Sequence, residues 1–311
     1  MNIYRHLPLA KTTADNSSAT VSRALAIGNF DGLHLGHQAL LAKTVEIAKS
    51  QQIKPGVMTF EPHPREFFTP QSAPARLSSM REKLEYFHEA GINDVFVMRF
   101  NQAFSAITAS DFMHKGLTGA LHANTILVGG DFCFGAKRKG TVQDLIESGF
   151  NLITFPEVKV AHERISSTLV RNALANDDFV QAERLLGRPY SISGKVVHGA
   201  KRGRQLGYPT ANVHMRHERP AFKGVYAVKL DGREGVANLG VRPTISGIQR
   251  LMLEVNVFDF NHDLYDMHVH VQFFHKIRDE IKFDGLDALK AQIAVDVSDA
   301  QSFFNSDSKT D

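Results

Sequence analysis

Near Leu186 the hydrophobic pattern changes period, and the two patterns on either side call for different sheets. Before that point short apolar runs alternate with helix-like segments. Residues 24–28 read as a buried strand ending in a glycine turn, and 38–50 carry Leu40, Leu41, Thr44, Val45 and Ala48 at helical spacing. Further apolar runs cover 57–60, 94–98 and 125–129. This alternation predicts an α/β layer with a mostly parallel sheet, whose ligand crevice lies at the C-terminal strand ends. After Gly187, Arg188 and Pro189 the segments 192–198, 225–230, 251–258 and 268–274 are short and alternating, punctuated by Gly and Pro. They predict an antiparallel β-barrel or sandwich with a terminal helix, whose Leu286, Leu289, Ile293 and Val297 share one stripe. The expected domains are 1–187 and 188–311.

A length of 311 residues suits two such domains. Lys and Arg total 36 against 33 Asp and Glu, a net charge of +3 that gives only a weak overall field. A nucleic-acid partner is therefore not expected, and polyphosphates should bind at local clusters and backbone donors. The lone Cys133 excludes an intramolecular disulfide and a cysteine-rich zinc site. Arg5, His6 and Pro8 interrupt the first residues, unlike a signal peptide, and no stretch approaches the roughly 20 apolar residues of a membrane span. The expectation is a cytoplasmic protein with no membrane partner; the oligomeric state is open, a monomer included.

Between the first strand and its helix lies Gly28-Asn29-Phe30-Asp31-Gly32-Leu33-His34-Leu35-Gly36-His37. Glycines here let backbone approach a ligand, and the helix N-terminus offers N–H donors and a positive dipole end. His34 and His37 at its mouth could donate hydrogen bonds to phosphate oxygens as charge develops. A zinc half-site or a plain glycine turn would also fit the pair alone. Arg164, Ser166, Ser167, Thr168 and Arg171 offer hydroxyls at a helix start flanked by guanidinium groups, suited to phosphate or to ordinary capping. Gly129-Gly130-Asp131-Phe132-Cys133-Phe134-Gly135 follows a strand and leads into the basic Lys137-Arg138-Lys139.

In this order, with the Glu61-Pro62-His63-Pro64 stretch, these motifs resemble the adenylyltransferase module of bifunctional bacterial riboflavin kinase/FAD synthetases, a Rossmann-like nucleotidyltransferase domain. The resemblance implies that His34 and His37 act on ATP phosphates and that Gly28 and Phe30 belong to the same nucleotide site. Asp131 would help position the nucleotide, and Arg164, Ser167, Thr168 and Arg171 would line the phosphate region. Phe60 and Phe134 are candidates for flanking the flavin ring. The implied reaction is in-line attack by an FMN phosphate oxygen on the α-phosphorus of ATP, releasing pyrophosphate. Cys133 stands where that family often has arginine.

In the second half, residues 194–212 join a strand to a basic loop with four glycines, ending Tyr208-Pro209-Thr210-Ala211-Asn212. The loop lacks the Gly-Lys-Ser/Thr ending of a P-loop. Thr210 and Asn212, two apart in extended chain, put two oxygens on one face, suited to a hydrated Mg²⁺ or to a simple polar turn. Glu254 sits in an otherwise apolar strand, where a carboxylate is either ion-paired or employed as a base.

The segments Gly207-Tyr208-Pro209-Thr210-Ala211-Asn212, Gly224-Val225-Tyr226, Asn238 through Arg242 and Thr244, and Leu253-Glu254 resemble riboflavin kinases, whose module is an antiparallel β-barrel. The resemblance implies that Thr210 and Asn212 hold Mg²⁺ and ATP, with Gly199, Lys201, Gly203 and Gly207 around the phosphates. Glu254 would accept the proton of the ribityl hydroxyl, and Arg278 would lie near the flavin. Asp266 stands where glycine is usual. The implied partners are riboflavin, FMN, FAD and ATP. Competing readings are a chain with one live module, a non-catalytic flavin-binding regulator, and an RNA-binding module using the two basic loops.

Overall fold

The computed structural model describes residues 1–5, 21–160, 163–198, 207–215, 219–243, 249–260 and 262–307. It divides into two compact units, Met1–Pro74 with Met80–Ile165, and Ala75–Ser79 with Ser166–Asp311.

The first unit is built on β1 (Asn2–Tyr4), β2 (Arg23–Ile27), β3 (Lys54–Glu61), β4 (Asp94–Arg99), β5 (Ala123–Gly129) and β6 (Asn151–Phe155), ordered β1-β4-β3-β2-β5-β6. All the pairings are parallel. Side chains alternate between two apolar layers. Ala24 and Ala26 of β2 face the layer that holds α1 (Leu35–Ser50) through Leu40 and Leu41, while Leu25 and Ile27 face Met58, Phe96 and Ile126. Burial on both faces is why these strands read as mostly apolar runs rather than as alternating ones. Helix α2 (Met80–Glu89) packs on the α1 side through Leu84 and Phe87. Because β3 and β5 flank β2 on opposite sides, the strand order reverses at β2 and β5, and their C-terminal loops emerge side by side at that reversal.

The second unit opens with α3 (Ser167–Ala175) and α4 (Phe179–Leu186), so these helices pack with the barrel that follows. The barrel comprises β7 (Ser191–Val197), β8 (Ala211–His214), β9 (Gly224–Leu230), β10 (Arg233–Pro243), β11 (Gln249–Val257) and β12 (His268–Arg278). It closes in the order β7-β8-β11-β10-β9-β12, all pairs antiparallel. Phe179 of α4 interlocks with Phe222, Tyr226 and Phe273, mostly edge to face. Helix α5 (Leu286–Asp307) covers the outer face of β9 and β10, where Ala300 and Phe304 meet Val225, Ala227 and Val236. Among the described residues no helix is long and apolar enough to cross a membrane.

Candidate active sites

The first site grows out of the end of β2. In the loop that follows, Phe30, Gly32 and Leu33 all take positive φ, at 50°, 81° and 43°. Left-handed backbone is costly for Phe and Leu, and burial holds it here: both are core residues, and Phe30 meets Phe87 edge-on at 5.3 Å between ring centres. The coiled loop delivers His34 to the N-cap of α1, where its Nδ1 accepts from the His37 backbone N–H at 3.3 Å. A neutral His34 so engaged carries its proton on Nε2. The two imidazoles stack, 3.8 Å apart and 15° from parallel. A Cβ on Gly36 would stand 3.2 Å from the His34 ring, so glycine at this position permits the close approach.

Burial, then the neighbouring His34, then Lys83 hold His37 well below the ordinary imidazole value of 6.5. At neutral pH it is an uncharged ring, and its buried Nδ1 has no hydrogen-bond partner among the described residues. The first turn of α1 contains no acidic residue, which leaves its dipole end open to an anion. Behind the loop, Lys83 of α2 donates to the Asn29 carbonyl at 2.8 Å, and the Thr59 hydroxyl donates to the same oxygen at 3.3 Å. Sequence reading passes over Lys83 and Asn29. The available signal is that Lys83 stands four residues before Phe87, on the apolar stripe of a helix, where lysine is rare unless paired.

In the neighbouring loop after β5, Asp131 meets Arg164 at 3.2 Å, and Glu157 holds the other arm of that guanidinium at 2.9 Å. Asp131 and Arg164 are thus brought together, and Glu157 joins them unforeseen. The Gly28 N–H donates to the Met58 carbonyl at 3.1 Å. Phe60, at the end of β3, is half-buried against Phe100 and Phe104. Phe134 is buried between Phe112 and Phe132 as part of the core. Cys133 directs its thiol to the Asp131 carbonyl, 3.7 Å away. Ser167, Thr168 and Arg171 lie on α3 and belong to the second unit. There Ser166 caps the helix by accepting from the Leu169 N–H at 3.3 Å, and Arg171 Nε donates to the Ala75 carbonyl at 2.6 Å.

The second site is a row across three barrel strands. Glu254 of β11 stands opposite Asn212 of β8 on one side and Asn238 of β10 on the other. Directly opposed side chains in a ladder share a face about 5 Å apart, so two carboxamides flank the carboxylate. Asn212 is buried; Asn238 and Glu254 are half-buried, and the Asn238 Oδ1 is buried without a hydrogen-bond partner among the described residues. Asn256, on the same face of β11, donates to the Pro209 carbonyl at 2.8 Å and so anchors the segment that presents Thr210. Thr210 precedes β8 and is half-buried. The row continues through Val225 to Arg278. The Arg278 guanidinium grips Asp296 of α5 with two bonds, 2.7 and 2.6 Å. Asp266 takes φ of 64°, a backbone that glycine adopts freely, and pairs with Lys195 at 2.7 Å. Gly207 also takes positive φ, at 86°. Gly199, Lys201, Gly203 and Thr244 lie outside the described residues, as does the side chain of Arg242.

Two family models match the chain: FAD synthetase over residues 16–169 and riboflavin kinase over 186–304. The bifunctional riboflavin kinase/FMN adenylyltransferase of Haemophilus influenzae is 45% identical over 292 residues, covering 91% of this chain and 94% of that protein. Its counterpart in Escherichia coli K12 is 46% identical, covering 90% and 92%. A crystal structure from Streptococcus pneumoniae, described as a macrolide-efflux protein, superposes with a TM-score of 0.76 at 30% identity, covering 95% of this chain and 97% of that one. With both domains matched in order and near-complete coverage of these relatives, the chain belongs to the bifunctional riboflavin kinase/FMN adenylyltransferase family.

Proposed function

We propose that the two activities of this family divide along the chain, with FMN adenylylation carried by residues 1–187 and riboflavin phosphorylation by residues 188–311. ATP is the co-substrate of both.

The kinase assignment rests on the Asn212–Glu254–Asn238 row. Glu254 accepts the proton of the riboflavin 5′-hydroxyl as that oxygen bonds to the γ-phosphorus of ATP, and ADP leaves with the electron pair of the broken P–O bond. The flanking carboxamides hold the carboxylate and the reacting oxygens in line. Thr210 and Asn212 supply neutral oxygen donors of the kind Mg²⁺ accepts while keeping several waters, and the partnerless Asn238 oxygen is a further hard donor on the same face. A bound Mg²⁺ would offset the charge of the ATP phosphates. Gly199, Lys201, Gly203 and Gly207 form the phosphate loop, and Arg278 lies near the flavin.

Adenylyl transfer is assigned to the stacked His34–His37 pair at the N-terminus of α1. An FMN phosphate oxygen attacks the α-phosphorus, and pyrophosphate departs with the electron pair of the Pα–O bond. Neither step requires a covalent enzyme intermediate. The imidazole N–H groups and the helix end stabilise charge on the phosphates. Gly28 and Phe30 shape the nucleotide loop; Asp131, Arg164, Ser167, Thr168 and Arg171 serve nucleotide and pyrophosphate, and Phe60 and Phe134 the flavin. We place the protein in the cytoplasm.

Chromatography of products from riboflavin, Mg²⁺ and ATP tests the reading. FMN followed by FAD is expected, with FMN formation lost on removing Mg²⁺; no phosphorylated flavin from either riboflavin or added FMN would end it.

A further inference from the structure

Lys83 has a place in the first unit that neither the family's motifs nor the sequence pattern assigns. It is a buried cation, 3% exposed, on the core-facing side of α2. Burying an ammonium costs several kcal/mol unless polar partners compensate, so a lysine retained here has a use that an apolar residue could not fill. Its Nζ donates to the Asn29 carbonyl, the second residue of the loop that carries the two histidines. That oxygen takes a second bond from Thr59 on β3, so the loop is tied to a helix and to the neighbouring strand at one atom.

We propose that Lys83 is a positioning residue for adenylyl transfer: it pins the loop after β2 through the Asn29 carbonyl and supplies fixed positive charge behind the stacked His34–His37 pair. The inference rests on the assignment of that pair to ATP phosphates. Two imidazolium rings 3.8 Å apart would repel, and a third positive charge close by raises the penalty further. The groups that bear on His37 are His34, from its own loop, and Lys83, from α2; both lower its proton affinity, after burial itself. His37 is therefore held as a neutral ring beside His34, while the positive field that polyphosphate requires comes from a residue that cannot swing away. The division suits a reaction in which charge moves from the α-phosphate to the leaving pyrophosphate, because a preorganised charge needs no rearrangement as that happens. No proton is transferred to or from Lys83 in this role.

Two substitutions separate the parts of the claim. Lys83→Gln keeps a donor for the Asn29 carbonyl and removes the charge; Lys83→Met removes both. FAD formation from added FMN and ATP should fall in kcat by about tenfold or more in Lys83→Gln and further in Lys83→Met. FMN formation from riboflavin by the same preparations should stay at the wild-type rate. In both variants the His37 titration midpoint, followed by imidazole NMR in the full-length chain, should move up toward that of a free imidazole, and in Lys83→Gln it should do so at an unchanged thermal midpoint, since loosened packing would also raise it by lessening burial but only alongside a loss of stability. Wild-type protein that makes no FAD defeats the site assignment itself. Wild-type protein that makes FAD, beside a folded Lys83→Gln within twofold of its kcat or with an unmoved His37 midpoint, defeats the role given to Lys83. If Lys83→Met fails to fold, Lys83→Gln carries the test; if neither folds, Lys83 is a folding residue and the proposal is overturned.

Discussion

Asn238 stands directly across the β10–β11 ladder from Glu254, with the carboxamide oxygen of Asn238 buried and without a partner among the described residues. Placing an unpaired carbonyl oxygen beside a carboxylate is unfavourable for the free protein, by about 1–3 kcal/mol for the desolvated oxygen alone. A site that keeps such an arrangement keeps it for what binds there. Asn238→Ala should accordingly leave the thermal midpoint of the second unit unchanged or slightly raised while lowering FMN formation by roughly tenfold or more. A large drop in stability with unchanged kinase activity would make Asn238 a structural residue.

Glu254→Gln preserves the shape of the row and removes the carboxylate proposed as proton acceptor. FMN formation should fall by about 10²–10⁴, the usual contribution of a positioned general base. FAD formation from added FMN should continue at the wild-type rate, since His34 and His37, to which we assign adenylyl transfer, lie in the other unit. Loss of both activities would refute separate sites.

His37 gives the first unit a pH dependence of definite sign. In the unfolded chain its imidazole takes a proton near 6.5, whereas the native fold resists that proton through burial, His34 and Lys83. Below 6.5 the unfolded state therefore binds more protons, and stability falls as pH drops from there toward the depressed native value. Above that window the contribution is flat. His37→Gln should flatten the difference, measured as the fall in thermal midpoint between neutral pH and mildly acid pH, and should lower FAD formation without touching FMN formation. A variant with the same acid sensitivity as wild type would remove His37 as its source.

The Tyr226–Asp177–Lys276 cluster predicts a stability effect outside both sites. Tyr226 is fully buried, with its hydroxyl 3.0 Å from Asp177 and 2.7 Å from the Lys223 carbonyl, and Lys276 reaches Asp177 at 2.6 Å. Burial, then the Asp177 carboxylate, pushes the phenol well above its ordinary range, so Tyr226 stays a neutral donor throughout the physiological range. Asp177 lies in the turn between α3 and α4, and these bonds tie that turn to the barrel. Asp177→Ala should destabilise the second unit by about 1–3 kcal/mol in urea unfolding, since a half-exposed lysine keeps Asp279 as partner. An effect below a few tenths would leave the helix pair held by Phe179 packing alone.

The strands that bury both faces are legible because 24–28, 57–60, 94–98 and 125–129 are mostly apolar, with Thr59, Asp94 and Thr125 the polar exceptions. The observed strands run one to three residues further at some ends, as Lys54–Glu61 does, because ladder pairing continues beyond the apolar run. Helix α1 begins at Leu35 rather than 38 since a histidine does the capping, a residue type that carries little capping signal. β10 carries little alternating signal although it is among the longest strands. Gly235 within it breaks the alternation, and a Cβ there would run into the Asn256 carbonyl of β11, so close strand approach dictates the glycine. At the sites, His34, His37 and Glu254 were legible as polar residues in motifs. Lys83, Asn29 and Glu157 were not, because their partners are distant in sequence and only the folded sheet brings Thr59, Asn29 and α2 together.

Arg278 and Asp296 set the last expectation. The pair is bidentate, Asp296 is 4% exposed, and Gln292 donates to the same carboxylate at 3.0 Å. Removing one member of a buried pair leaves the other charged without compensation, which typically costs about 3–5 kcal/mol, more than the pair contributed when intact. Asp296→Ala should therefore loosen α5 from the face it shares with β9 and β10 and release Arg278 toward the Glu254 row. Arg278→Met removes the charge itself and should cost less stability than Asp296→Ala if Asp296 then gains a proton or water. FMN formation should fall in both, with FAD formation from added FMN retained. Equal stability for wild type and Asp296→Ala in urea unfolding would show that α5 is held by Ala300 and Phe304 alone, with the ion pair contributing nothing to its seat.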